Sequence, residues 1–297
     1  MKITNNNNIP TALYKAICKN EYDRGDSDIT VTSLIKPTQI QILETKHWKD
    51  IEIDVLDNLC MFLGHSLHKS LEECSDDAIV EQRFYKTFNL GDNQGSIKLG
   101  GCVDYYDPFT ETIVDYKLTN VFSVKEGCKA DWEKQLNCYA HLIRANGLPV
   151  RKLQICAIIK DWSHSMSVNN PEYPAKPVLV IDVPVWEDKE VEEYIISKLK
   201  SYVCGIGQNV YQCCDEEDMW QQPDSYKVFK GDNKRATKCF ATNEEAQFYI
   251  EGISNDKDKY RIVCYQGKRN RCESFCRVNK WCPQYQQYMQ KQSERQL

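Results

Sequence analysis

Long apolar segments are absent from this 297-residue chain, whose longest apolar run, Leu153–Ile159, has the length of one buried strand. A membrane-spanning helix needs ~20 consecutive apolar residues, so the sequence excludes such a span. The opening residues, MKITNNNNIP, also lack the apolar core of a signal peptide. These absences predict a cytoplasmic protein with no membrane partner.

An excess of positive charge is also missing, since the net charge is −5. Nucleic-acid-binding proteins usually carry a basic field, but their affinity depends on local patches. Two basic clusters offer such patches, and a solvated surface is the alternative interpretation of each. The cluster predicted to bind nucleic acid is Lys227, Lys230, Lys234, Arg235 and Lys238, and the second is Lys268, Arg269, Arg271, Arg277 and Lys280.

The spacing of apolar residues predicts an α/β fold with a mixed central sheet flanked by helices. Leucines recur at three- and four-residue steps within residues 51–74, which is typical of one helical face, and Gly64 inside this helix suggests a packing reason. Strand-like segments follow from the 80s to residue 117. The remaining predictions are a helix over 131–144, strands over 153–160 and 177–185, and a helix over 187–203.

Changes in composition divide the chain into three regions. Residues 1–28 are polar and predict an N-terminal arm, and residues 29–204 contain the predicted core. From residue 205 onward, glycines and paired polar residues interrupt the pattern. We therefore expect residues 205–297 to form a cysteine-containing extension that packs on the core.

The segment GGCVDYYDPFTETIVDYKL predicts a β-hairpin that carries Asp104 on its first strand and Asp115 and Lys117 on its second. Side chains alternate across a strand, so Asp115 and Lys117 point to one face. Carboxylates are the ligands that Mg²⁺ prefers, and the backbone carbonyl of Tyr116 is a further candidate ligand. Because the neighbouring residues are apolar, these charges are expected to be mostly buried, which is costly unless they are paired or bound to metal.

Two helices supply further candidate residues. His68 borders the leucine stripe of the first helix and can reach a site at the edge of the core, whereas His65 is expected to face solvent. On the second helix, Gln135 and Tyr139 are four residues apart and therefore neighbours on one face. Ordinary packing or surface pairing is the alternative for each of these residues.

Taken in order, these residues resemble the motifs of the RecB-type branch of the PD-(D/E)XK nuclease superfamily, including its phage-encoded exonucleases. The motifs are Gly64-x-x-x-His68, Gly-Gly-Cys-Val-Asp104, Ile-Val-Asp115-x-Lys117 and Gln135-Leu-x-x-Tyr139. The resemblance implies a restriction-endonuclease-like core and DNA cleavage that depends on Mg²⁺ or Mn²⁺. For a phage-encoded protein it would also place the activity in the host cytoplasm.

The resemblance also assigns roles to the residues. It makes His68, Asp104 and Asp115 the metal ligands and Lys117 the catalytic lysine. Gln135 and Tyr139 would support the site and the DNA strand. A recombination or helicase protein is the expected partner besides DNA, while the oligomeric state stays open.

The densest cysteine group among the fifteen in the chain is Cys272-x3-Cys276-x5-Cys282. Three thiolates at this spacing could bind zinc or an iron–sulfur cluster if a fourth ligand joins them. Some relatives in the resembled family carry a [4Fe–4S] cluster on a similar C-terminal triplet and one cysteine ahead of the core. This chain departs from that pattern in two ways, because the first spacing of its triplet is three residues rather than the usual two and the upstream cysteine is missing from residues 29–37. None of the substitutes, Cys18, Cys60 and Cys264, is convincing.

The sequence thus predicts a metal-dependent deoxyribonuclease, most simply an exonuclease that processes DNA ends or single strands. One alternative is a non-enzymatic DNA-binding protein on a nuclease scaffold. The other is an interaction protein whose cysteine tail binds zinc, with the charges of the hairpin merely exposed.

Overall fold

A computed structural model describes residues 1–19, 24–74, 78–91, 94–125, 127–208, 211–253 and 257–295. The chain divides into two compact units, Met1–Gln212 and Cys213–Leu297. The residues expected to form an N-terminal arm belong to the first unit, where Lys2–Thr4 pairs in parallel with Glu52–Asp54. The second unit begins within the predicted C-terminal extension.

The first unit is a mixed α/β structure. Its strands are β1 (Lys2–Thr4), β2 (Ile29–Thr30), β3 (Glu52–Asp54), β4 (Ile79–Asn89), β5 (Ser96–Asp107), β6 (Thr112–Thr119), β7 (Lys152–Ile159) and β8 (Val178–Val183). Its helices are α1 (Thr11–Cys18), α2 (Val31–Leu34), α3 (Thr38–His47), α4 (Leu59–Glu72), α5 (Ala130–Ala145), α6 (His164–Asn169) and α7 (Asp188–Gln208). Short 3₁₀ turns cover Val55–Asn58 and Val121–Val124.

Six of these strands form the central sheet, in the order β2-β5-β6-β7-β8, with β4 also paired to β5. Strand β5 is parallel to β2 and antiparallel to β4 and β6. Strands β6 and β7 run parallel, and β8 is antiparallel to β7. The predicted mixed sheet flanked by helices is therefore confirmed. The hairpin predicted around residue 109 is the β5–β6 connection, in which Asp107 accepts hydrogen bonds from Phe109 and Thr110.

Helix α5 confirms the prediction over 131–144, and its apolar side lies in the core that the sheet shares with α7. Leu136, Leu142 and Ile143 are fully buried there. Burial of this stripe, at about 25 cal/mol per Å² of apolar surface, holds the helix on the sheet. The polar side chains of α5 are thereby fixed above β6.

The first predicted helix is shorter than residues 51–74, because β3 and a 3₁₀ turn occupy its start. Asp54 accepts a hydrogen bond from the Leu56 backbone and Asp57 accepts one from the Asp54 backbone, so this capping box begins the turn. Helix α4 then begins at Leu59, and Leu63 remains 42% exposed. The leucine spacing correctly predicted a helix, but the leucine stripe of this helix is not buried.

The second unit contains a three-stranded antiparallel sheet in the order β10-β9-β11. Its elements are β9 (Ser225–Lys230), β10 (Lys238–Phe240), α8 (Asn243–Glu251), β11 (Tyr260–Tyr265) and α9 (Pro283–Arg295), with short helical turns at Lys257–Lys259, Arg271–Phe275 and Asn279–Trp281. Helix α8 begins at a capping box formed by Thr242 and Glu245. No helix in the described ranges is long and apolar enough to cross a membrane.

Gly101 on β5 provides a test of the packing that positions α5. A Cβ atom at this residue would lie 2.7 Å from the ring of Tyr139, which is itself buried. Gly101→Ala should therefore lower the free energy of unfolding by about 1–3 kcal/mol, the usual cost of overpacking. Urea denaturation followed by circular dichroism measures this change.

Gly64→Ala is the matched control within the same unit. A Cβ atom at Gly64 meets no described atom within 4 Å, so the packing reason expected for this glycine is wrong. Alanine in the interior of α4 should stabilise the protein by about 1 kcal/mol. Equal effects of the two substitutions would contradict the role given to Gly101.

Candidate metal centre

Three charged residues of the hairpin meet on one face of the sheet. The register pairs Tyr105 with Val114, which places Asp104 and Asp115 at the next facing positions. Oδ2 of Asp104 accepts a hydrogen bond from the Tyr116 backbone at 2.9 Å. Nζ of Lys117 lies 2.7 Å from Oδ2 of Asp115, as expected for side chains two residues apart on a strand.

His68 joins this group from helix α4. Its Nδ1 lies 3.4 Å from Oδ1 of Asp104 and 3.2 Å from Oε1 of Glu81. Its Nε2 lies 3.2 Å from the carbonyl oxygen of Tyr116. The carbonyl proposed as a ligand from the sequence therefore borders the site, where it contacts the imidazole.

Glu81 on β4 is a site residue that the sequence motifs did not indicate. The register pairs Val80 with Tyr105 and Gln82 with Val103, so Glu81 lies opposite Asp104 across the sheet. Among the described residues, the potential ligand atoms of His68, Glu81 and Asp104 form a group that lies within 4.8 Å of one another. Like charges in directly facing positions repel, so this arrangement favours a bound cation.

The backbone at Glu81 is strained. Its φ of 46° lies in the left-handed region, which costs a non-glycine residue about 1–3 kcal/mol. The thiol of Cys102 donates a hydrogen bond to the carbonyl oxygen of Glu81 at 3.2 Å, which holds this distorted position. Such strain within a strand is typical of residues held for a function.

Gln135 on α5 connects the acid, the lysine and the phenol. Its Oε1 accepts a hydrogen bond from Lys117 at 3.0 Å, and its Nε2 donates to Oδ1 of Asp115 at 3.2 Å. The same Nε2 lies 2.9 Å from the hydroxyl oxygen of Tyr139. Of the neighbouring pair expected on this helix, Gln135 therefore contacts both charged residues of β6, and Tyr139 contacts Gln135.

The site contains a buried oxygen whose hydrogen bonding is incomplete. Asp115 is 1% exposed, and its Oδ2 has no hydrogen-bond donor among the described residues. Its 2.7 Å contact with Lys117 is an ion pair whose geometry is not that of a hydrogen bond. An anionic oxygen of this kind is a suitable ligand for a hard cation such as Mg²⁺ or Mn²⁺.

Asp104 and His68 both hold a proton at neutral pH, because their pKa values are raised. Burial, followed by the charge of Asp115, raises the pKa of Asp104 to about 8. Burial lowers the pKa of His68, but the hydrogen bond to Glu81 and the charges of Asp104 and Glu81 outweigh it and raise the pKa to about 9. A divalent cation can replace these protons as the neutralising charge.

These side chains line one cleft of the first unit, together with Lys69 and His65 of α4. The expectation that His65 faces solvent is wrong, because residues three apart on a helix are neighbours. Burial and the nearby His68 lower the pKa of His65. His65 is thus a second imidazole beside the candidate metal ligands.

The lysines predicted to bind nucleic acid lie in the second unit and do not share one face. Lys227 on β9 faces Cys239 and Val263, and its Nζ lies 4.2 Å from the centre of the Tyr265 ring. The alternation of β9 and the pairing of β10 place Lys230 and Lys238 on the other face. Lys234 and Arg235 are exposed in the connection between these strands.

The fifteen cysteines form no disulfide bonds in the part of the chain that the structure describes. Cys272, Cys276 and Cys282 belong to the second unit, whereas Cys18 and Cys60 belong to the first. The sulfur of Cys60 accepts a hydrogen bond from Lys160, and Cys264 on β11 lies beside Tyr226. None of these three alternatives is placed with the C-terminal triplet by the contacts of the described residues.

Comparisons with known proteins do not identify a family for this chain. No family model and no curated protein matches the chain. A solved structure described as "Crystal structure of SSO0001" matches with a TM-score of 0.45 and 15% identity, over 63% of this chain and 83% of that one. The residues of the site are therefore the basis for any functional conclusion.

The raised pKa values predict pH-dependent binding of Mn²⁺. A cation must displace the protons that Asp104 and His68 hold at neutral pH, so its affinity should rise as the pH increases toward 8 and 9. Each displaced proton changes the affinity roughly tenfold per pH unit. Isothermal titration calorimetry between pH 6.5 and 8.5, in buffers of different ionisation enthalpy, measures both the affinity and the proton release.

Asp104→Asn should lose this binding, while Asp182→Asn is the control. Asp182 is an exposed carboxylate on β8 of the same sheet, paired with Lys152 at 3.2 Å. An affinity for Mn²⁺ that does not change with pH, or that survives in Asp104→Asn, would contradict the assignment of the site.

Proposed function

We propose that the protein is a deoxyribonuclease that requires Mg²⁺ or Mn²⁺. The observation that carries this proposal is the convergence of Asp104, Asp115 and Lys117 with His68 in one cleft. These residue types, in this order along the chain, resemble the RecB-type PD-(D/E)XK nucleases. The mixed sheet and the helices that carry His68 and Gln135 are compatible with a restriction-endonuclease-like core.

The residues present fit a divalent cation. His68, Asp104 and Asp115 are the proposed ligands, with Glu81 as an additional acid and the carbonyl of Tyr116 beside them. The facing acids and the unsatisfied Oδ2 of Asp115 are the features that a cation would compensate. When bound, such an ion polarises a phosphodiester and lowers the pKa of a coordinated water.

Lys117 is the proposed catalytic cation. Its ammonium group is held between Asp115 and Gln135, at 2.7 and 3.0 Å, and its side chain is 24% exposed to the cleft. In this position it can stabilise the negative charge that develops on a phosphoryl oxygen or orient the attacking water. Gln135, in contact with Tyr139, fixes the position of the lysine.

The proposed substrate is DNA, processed at its ends or as a single strand. The chain contains no evident module that reads a base sequence, which favours processing over cleavage at a specific site. It also contains no helicase motif, so a recombination or helicase protein would supply any unwinding. The contact of Lys227 with the Tyr265 ring would suit a face of this sheet that binds a single strand.

A non-enzymatic DNA-binding protein is the second candidate function. The contact of Lys227 with the Tyr265 ring, on one face of the β9–β11 pair, supports it, because base stacking and backbone charge suffice for binding. The complete set of acids and the lysine in the cleft favours an enzyme. Retention of DNA in a gel assay without any cleavage in Mg²⁺ would favour the binding protein.

Lys117→Ala should reduce DNA cleavage by at least about 100-fold, since a positioned group in such a reaction contributes 10²–10⁴. The fold should persist with reduced stability, because the change leaves the apolar core intact but removes the ion-pair partner of the buried Asp115. The measurement is the initial rate of product release from labelled DNA in Mg²⁺, with circular dichroism as the check on folding. Asp115→Ala should have the same effect on the rate.

Lys152→Ala is the matched control, because it removes a lysine–aspartate pair on the surface of the same sheet, where both side chains are at least half exposed. Surface pairs contribute about 0–1 kcal/mol to stability, so this variant should cleave DNA like the unmodified protein. Full activity in Lys117→Ala would reject the proposed site.

The type of substrate is tested with end-labelled linear, circular and single-stranded DNA, each with Mg²⁺ or Mn²⁺. An exonuclease should degrade both linear forms and leave the covalently closed circle intact. Cleavage of the closed circle at a comparable rate would show endonuclease action and contradict the preference for ends. EDTA should stop every reaction.

A further inference from the structure

A fourth cysteine of the second unit lies with the C-terminal triplet. Cys214 forms two hydrogen bonds with the side chain of Gln284, which accepts from the Cys214 amide at 3.1 Å and donates to its carbonyl at 2.8 Å. Gln284 follows Cys282 by two residues at the start of α9. This pair of bonds fixes the segment at Cys214 beside Cys282, far from it in sequence.

The other two cysteines are tied to the same place. Asn279 donates from its side chain to the carbonyl of Cys272 at 2.8 Å, and the amide of Cys282 donates to the carbonyl of Asn279 at 3.0 Å. The amide of Cys276 donates to Arg271, whose own amide donates to Met219. The loops that carry the four cysteines thus form one hydrogen-bonded assembly within the unit.

The thiol of Cys214 is near enough to the three thiols of the triplet to be influenced by them. Burial raises the pKa of Cys214 to about 12, and the charges of Asp218 and of the three triplet cysteines add to this effect. Burial also raises the pKa of Cys272 to about 11, with further contributions from Cys276 and Cys282. Cys214 and Cys282 are 9% and 8% exposed, whereas Cys272 and Cys276 are half-buried.

We propose that Cys214, Cys272, Cys276 and Cys282 bind a [4Fe–4S] cluster. Four cysteine thiolates are the ligand set that such a cluster requires. The site goes beyond the proposed nuclease function, because all four ligands belong to the second unit and none to the cleft of the first. It also departs from the resembled relatives, in which one ligand precedes the nuclease core.

The sulfurs are not as closely grouped as the ligands of one bound zinc ion would be. Zinc bound by four thiolates at ~2.3 Å would bring each pair of sulfurs to about 3.8 Å. Within the described ranges, three ligand atoms all within 4.8 Å of one another occur at His68, Glu81 and Asp104, and the four cysteines do not form such a group. A polynuclear cluster holds its cysteine sulfurs farther apart than one ion does.

The surroundings of the thiols suit an anionic cluster. The backbone amides of Gln284 and Tyr285, at the start of α9, donate hydrogen bonds to the sulfur of Cys282. Arg269 and Arg271 act on Cys272 in the direction that favours the thiolate. Amides at a helix start and nearby guanidinium groups stabilise thiolates, and hydrogen bonds to sulfur tune a cluster once it is bound.

Contacts with aromatic rings and a backbone carbonyl hold Arg269 and Arg271 in place. The guanidinium group of Arg271 lies 5.3 Å from the centre of the Trp220 ring and donates to the carbonyl of Asp218. Arg269 lies 4.5 Å from the centre of the Tyr288 ring. Two members of the second basic cluster are therefore held beside the cysteines rather than extended into solvent.

The test is the metal and sulfide content of the full chain, purified without oxygen from cells supplied with iron. We expect about four iron and four acid-labile sulfide ions per chain, with a broad visible absorption that dithionite bleaches. Stoichiometric zinc without iron would overturn the cluster. A folded chain without either metal would overturn the site altogether.

Cys214→Ala should lose most of the iron, whereas Cys213→Ala, at the adjacent exposed cysteine, should keep it. Loss of iron from Cys213→Ala with retention in Cys214→Ala would reject Cys214 as the ligand. If Cys214→Ala does not fold, alkylation of the unmodified protein decides instead. Cys214 should be protected until the iron is chelated, and modification of Cys214 at the rate of Cys213 while the cluster is intact would overturn the assignment.

The result of the iron analysis can be distinguished from the result of the nuclease assay. Lys117→Ala should contain as much iron as the unmodified protein, because its change lies in the first unit. A chain with the cluster but no nuclease activity would reject only the proposed enzyme. A chain with activity but neither iron nor zinc would reject only the cysteine site.

Discussion

The repulsion among three facing acids is the constraint on which the candidate centre depends. The β4–β5 and β5–β6 registers place Asp104 between Glu81 and Asp115, and at Asp115, which is 1% exposed, little solvent screens the charge. His68 and Lys117 supply the compensating protons and positive charge. Replacing the acids with apolar residues would relieve the repulsion, so their presence is better explained by a ligand than by stability.

The backbone is arranged to hold these acids in place. Glu81 adopts a strained conformation opposite Asp104, and the Cys102 thiol and the imidazole of His68 hold its carbonyl and carboxylate. Helix α5, fixed by its buried apolar stripe, supports the opposite side through Gln135. The packing energy of the core thus offsets the strain and repulsion of the site.

Local patterns predicted the parts of the site that one segment can determine. The alternation of the hairpin predicted that Asp115 and Lys117 share one face, and the period of α5 predicted that Gln135 and Tyr139 are neighbours. Glu81 carries no such signal, because its position depends on how β4 pairs with β5. The same holds for Cys214, since hydrogen bonds between segments distant in sequence bring it to the triplet.

Two lysine–aspartate pairs on this sheet differ in what the loss of one partner would cost. Lys152 and Asp182 form a surface pair in which solvent screens the charges, and either residue can be replaced at little cost. Asp115 is 1% exposed, and Lys117 is its charged neighbour, so neither charge can be removed without leaving the other uncompensated in a poorly solvated site. Burial, rather than the Asp-x-Lys sequence itself, therefore distinguishes this pair as a candidate for chemistry.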